Sequence, residues 1–134
     1  MRYLLDTDTC IELLRGNSNT VERIQVISPD DIAISTITRY ELSYALLRCA
    51  PSRQNSQRAK IDALLDQLHE IPFGRATAEC AAHLRAALEA KGTPIGPMDT
   101  LIAATAMETK LALITGNTRE FSRIDQLEIE NWIR

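Results

Sequence analysis

Four separated segments place a carboxylate or its amide just past an apolar, strand-like run or at the start of a helix. They are Asp6 after Tyr3-Leu4-Leu5, Glu41 after Ile32-Ala33-Ile34-Ser35, Asp99 in Gly96-Pro97-Met98-Asp99, and Asn117 after Leu111–Gly116. Acids gathered at one point repel one another unless a cation lies between them. Oxygen donors of this kind suit Mg2+ or Mn2+, which lowers the pKa of water it binds and steadies charge on phosphoryl oxygens. Hydrolysis of a phosphate ester is the indicated chemistry. It needs no histidine base, and His69 and His83 fit no metal-ligand spacing.

These residues converge only if the chain folds as an open parallel α/β sheet, where strand carboxyl ends and helix amino ends share one edge. The pattern supports this. Strands are expected at 2–6, 31–35, 69–73, 111–115 and 127–130, separated by helices near 8–15, 19–27, 36–49 and 75–91, from Pro97 to about Thr109, and a single turn after Asn117. Ile61, Leu64, Leu65 and Leu68 repeat at helical spacing, and Pro51 is read as a break after the third helix. Alternating strands and helices predict a central, mainly parallel sheet with helices on both faces, as one domain over residues 1–134.

Each site residue also has a bland reading. Thr38-Arg39-Tyr40-Glu41 fits a capping box, Asp99 sits in a first helical turn, and Asn117 is a good N-cap. Asp6 has no capping duty visible in the sequence, so burying it unpaired would be costly and a ligand role is favoured.

Composition is that of a soluble globule: 134 residues, 45% hydrophobic, 25% charged and only 4% aromatic. Cys10, Cys49 and Cys80 are widely spaced in apolar stretches and are expected as buried thiols of a reducing cytoplasm. No apolar run approaches a membrane span. The net charge of −3 argues against a general nucleic-acid-binding surface, yet the chain is neutral once Asp6, Glu41 and Asp99 are set aside as ligands. Twelve of the fifteen basic residues are Arg, the side chain better shaped for phosphate.

The combination of motifs resembles the PIN domain family, and within it the VapC-type toxins of bacterial toxin–antitoxin pairs. The matching stretches are Leu4–Thr9, Ser35–Leu42, Gly92–Ala103 and Leu113–Phe121, in order and in register over essentially the whole chain. The resemblance implies a PIN-like, Rossmann-like three-layer fold and metal-dependent endonucleolytic cleavage of RNA, with transfer RNA as a candidate target. It implies that Asp6, Glu41 and Asp99 hold Mg2+ or Mn2+, and that Asn117 stands where the family often has a fourth acid, with Glu120 a possible substitute one turn on. Thr7 and Thr115 fall on hydroxyl positions that orient ligands or water. A VapB-like antitoxin and a homodimer are the implied partners; the Ile61–Leu68 helix and the small-residue face of Ala78, Ala81, Ala82 and Ala86 are the surfaces to inspect.

Two other readings compete. Asp6-Thr7-Asp8-Thr9 after an apolar strand also resembles the opening of haloacid-dehalogenase-type phosphohydrolases, with Asp6 as nucleophile and Asp8 as general acid. That class further needs a lysine and a paired-acid motif, and neither Lys91, Lys110 nor Gly96-Pro97-Met98-Asp99 supplies them convincingly. A catalytically silent binding module would be marked by loss of the acids, which are retained.

Overall fold

The three-residue run Tyr3–Leu5 (β1) is buried on both faces, which suits the middle of a parallel sheet. In the computed structural model, which describes residues 1–134, β1 pairs in parallel with Ile32–Ser35 (β2) on one side and Ala112–Ile114 (β4) on the other. His69–Ile71 (β3) and Ile129–Glu130 (β5) extend these edges, giving the all-parallel order β3-β2-β1-β4-β5.

The connecting helices are Thr7–Leu14 (α1), Ser18–Gln25 (α2), Thr36–Leu47 (α3), Pro51–Leu65 (α4), Arg75–Ala90 (α5), Pro97–Thr109 (α6) and the single turn Thr118–Phe121 (α7). Because strand side chains alternate, Tyr3 and Leu5 join Cys10, Leu42, Leu46, Ile61 and Leu65 in one core layer. Leu4 points the other way, into a second layer with Leu84, Leu88, Ile102, Ala103 and Phe121. Helices on both faces of one sheet make the expected three-layer α/β arrangement. No helix is long and apolar enough to cross a membrane.

Several local expectations are corrected. Pro51 does not merely end a helix; it occupies the first turn of α4, where its missing N–H costs nothing. Ser35 caps α3 by accepting the N–H of Thr38 at 3.1 Å, so Thr38 lies inside the helix and Glu41 is released from any capping box. Asp6 does cap a helix, accepting the N–H of Thr7 at 2.8 Å at the start of α1. Of the three free thiols only Cys10 is buried. Ile61 and Leu65 pack into the core, and of the small-residue face of α5 only Ala81 is buried.

Candidate functional site

Parallel order puts the carboxyl ends of β1, β2 and β4 at one edge, and α1, α3 and α7 start there within four residues of the strand ends. Asp6 ends β1 and is 4% exposed. Its Oδ1 is fixed by the Thr7 N–H, and its Oδ2 accepts the Thr115 hydroxyl at 2.7 Å. Each oxygen keeps a lone pair for another partner. Burial first, then the neighbouring Asp8 charge, push the Asp6 carboxyl up to about 7 against the pull of these two hydrogen bonds.

Glu41 reaches the same edge from the second turn of α3. The Thr7 hydroxyl donates to its Oε1 at 2.6 Å and shares a 3.1 Å contact with the Thr38 hydroxyl, which lies 3.4 Å from Ser35 Oγ. A chain of four hydroxyl and carboxyl groups thereby ties the start of α1 to the start of α3.

Asp99 lies in the first turn of α6, beside Gly96 at its start, where a Cβ would make only ordinary contact with Asp99 Oδ2 at 3.4 Å. Burial, then the charges of Glu120, Glu41 and Asp8, raise Asp99 to about 6. No basic side chain offsets either Asp6 or Asp99. Asp6 feels the charges of Asp8 and Asp99, and Asp99 those of Glu120, Glu41 and Asp8, so these five acids share one field.

Asn117 precedes α7 but makes no side-chain cap bond. Its amide, as oriented by the hydrogen-bond network, donates from Nδ2 to Glu120 Oε2 at 2.8 Å. Glu120 also accepts the Gly96 N–H at 2.7 Å, and these two bonds hold its carboxyl below the usual range. Both fourth-position candidates therefore sit at the site, joined to each other. The carboxylate is the member that lies in the field of Asp99.

Two further contacts tie the turn after β4 to this edge, and only the first was not legible in the motifs. Asp8 Oδ2 accepts the Gly116 N–H at 2.9 Å, lacing α1 to the turn after β4. Thr115 uses one oxygen twice, donating to Asp6 and accepting the Asn117 N–H at 3.0 Å. The repeated Thr-Asp pattern at 6–9 and the Thr-Gly-Asn turn were the available signals. His69 lies on β3 and His83 on α5, both away from this edge.

The carboxylates do not close into a ready-made group of three metal ligands. The donors are all oxygen and spread along an open edge, and burial followed by neighbouring carboxylates raises two of them. That suits a hard divalent ion that keeps several waters better than one wrapped wholly in protein.

The PIN domain family model matches residues 3–127. The chain belongs to the PIN domain family. Among relatives of this PIN domain, the tRNA(fMet)-specific endonuclease VapC of Salmonella typhimurium is 31% identical over 132 residues, covering 98% of both chains. Ribonuclease VapC2 of Rickettsia felis is 34% identical over 134 residues, again covering 98% of each. The fold matches the crystal structure of DNA-bound VapBC from Salmonella typhimurium with a TM-score of 0.92 at 32% identity, over 98% of both chains. Within the PIN frame the phosphohydrolase reading falls away: Asp8 is engaged with Gly116, Lys91 pairs with Asp125 at 3.3 Å, and Lys110 ends α6 in a left-handed turn.

Proposed function

We propose that this PIN domain is a metal-dependent endoribonuclease toxin of the VapC type, cutting RNA phosphodiesters and held in check by a VapB-like antitoxin in the cytoplasm. The observation that carries the reading is the pair Asp6 and Asp99, buried and half-buried acids raised to about 7 and 6 with no cationic side chain beside them. Asp6, Glu41 and Asp99 would hold Mg2+ or Mn2+, with Glu120 or Asn117 completing the fourth position. The ion, when bound, supplies a Lewis acid for the phosphoryl oxygens and makes water a stronger nucleophile. Thr7 and Thr115 keep the Glu41 and Asp6 oxygens aimed at the edge by direct hydroxyl bonds. Transfer RNA is the favoured target, because the Salmonella relative is a tRNA(fMet)-specific endonuclease. The likeness to the solved VapBC structures of Salmonella typhimurium and Rickettsia felis supports an antitoxin partner.

The test is cleavage of total RNA and of individual transfer RNAs by the purified protein, with an Asp6→Ala control. Cleavage only with Mg2+ or Mn2+, leaving 5′-phosphate and 3′-hydroxyl ends, is expected. Cyclic-phosphate ends, or full activity in excess chelator, would sink the proposal.

A further inference from the structure

Ser35 and Thr38 stand at the junction of β2 and α3, closed off from water at 1% and 0% exposed. Buried hydroxyls must find their partners inside the chain. Ser35 has a plain duty, since its Oγ accepts the Thr38 N–H and caps α3. The side chain of Thr38 has no part in that cap, which uses only its backbone. Its hydroxyl instead lies 3.1 Å from the hydroxyl of Thr7, with Ser35 Oγ 3.4 Å away.

Counting protons fixes the direction of these contacts. A carboxylate can only accept, so the one hydroxyl proton of Thr7 goes to Glu41 Oε1, at 2.6 Å. Thr7 Oγ1 can then only accept from Thr38, and Thr38, its own proton used, can only accept from Ser35. Each hydroxyl is polarised by the one behind it, which strengthens the bond at the Glu41 end and holds the Thr7 rotamer from two sides. Without the Thr38 hydroxyl, Thr7 would keep Glu41 as its only side-chain partner and be freer to turn. Because Thr7 is the residue that hydrogen-bonds the Glu41 carboxyl, what fixes Thr7 also fixes Glu41.

We propose that Thr38 is a positioning residue for the acid edge: from inside α3 it orders the Thr7 hydroxyl, which holds Glu41 ready for the divalent ion. The proposal rests on the metal-dependent reading of the site. Thr38 and Glu41 are three residues apart on one helix, yet the link between them runs out through the first residue of α1 and back.

The test is Mg2+ binding to the full chain by calorimetry, beside the kinetics of RNA cleavage. Thr38→Val keeps the side-chain shape and the capped N–H while removing the hydroxyl; it should weaken Mg2+ binding about fivefold and lower kcat with KM for RNA unchanged. Thr38→Ser restores the hydroxyl and should bind Mg2+ within about twofold of wild type. Thr7→Val should lose at least as much as Thr38→Val, and combining the two should cost no more than about a further twofold, because the path runs through Thr7. Unchanged Mg2+ affinity in Thr38→Val would overturn the proposal. So would a serine variant as weak as the valine one, or losses that multiply in the double variant. If wild type binds Mg2+ but cuts no RNA, the ribonuclease reading fails while these affinities still decide the role of Thr38; if it binds no Mg2+, both fail.

Discussion

Thr115 and Asp6 come from opposite ends of the chain, and the hydroxyl of one is 2.7 Å from Oδ2 of the other. The same Thr115 oxygen receives the N–H of Asn117, so a single side chain both aims Asp6 and sets the turn leading to Glu120. A hydrogen bond to a charged group contributes about 1.5–3 kcal/mol. Thr115→Val should therefore cut RNA cleavage by about tenfold or more, while Thr115→Ser, which keeps the oxygen, should stay within about threefold. Because this bond lowers the Asp6 pKa, the valine variant should lose more at pH 6 than at pH 8. An equal loss at both pH values would show that Thr115 acts on packing alone.

Stability should depend on pH in a sense unusual for carboxylates. Asp6 moves from 3.8 to about 7 and Asp99 from 3.8 to about 6, so the folded chain binds these protons more tightly than the unfolded one. The metal-free protein should then lose stability as pH rises from about 4 through 7. Glu120, held low, works in the opposite sense but only at more acidic pH. Thermal melting in chelator should fall by several degrees between pH 5 and pH 8. Mg2+ should restore it at the upper end, and Asp6→Asn should flatten the slope. A melting temperature that climbs over this range would contradict the proposed charge crowding.

The fourth position can be settled by comparing Asn117 with Glu120. Asn117→Ala removes one of two hydrogen bonds to Glu120 and leaves its charge, so a moderate loss of cleavage is expected. Glu120→Gln removes the charge itself and should weaken both Mg2+ binding by calorimetry and cleavage more strongly. Asn117→Asp sets a second carboxylate where an amide now donates at 2.8 Å, and should lower melting in chelator. Should Glu120→Gln leave metal affinity and cleavage intact while Asn117→Ala abolishes them, the amide and not the acid is the ligand.

The lacing of Asp8 to Gly116 gives a fourth test. A Cβ on Gly116 would lie 3.0 Å from Asp8 Oδ2 and 2.8 Å from Ile133 Cδ1, so Gly116→Ala must shift the Ile133 side chain and press on the Asp8 carboxyl. A cost of about 1–2 kcal/mol in stability and a clear loss of cleavage are expected. Asp8→Asn keeps an oxygen acceptor for the Gly116 N–H and should retain most activity, which a phosphohydrolase using Asp8 as general acid could not.

What the sequence revealed followed from how local each signal is. The start of α6 was readable because Pro97 after Gly96 leaves few alternatives, and the strand beneath Asp6 because three apolar residues meet an acid. The capping roles were not. Ser35 and Thr38 both precede helix-like sequence, and only the β2 register decides which oxygen faces which N–H. Nor could spacing show that Asn117 gives its amide to Glu120, since that depends on how the Gly96 loop folds over α7.

The central position of β1 has a consequence for synthesis. Its partner β4 is the fourth strand to leave the ribosome, and Asp99, Thr115 and Glu120 emerge only with the last third of the chain. A nascent chain that has reached Ile71 possesses Asp6 and Glu41 but neither the strand that completes their edge nor the acids opposite them. Nothing made before β4 should carry the assembled acid edge, and stop codons anywhere before β4 should yield fragments without RNA-cleaving activity.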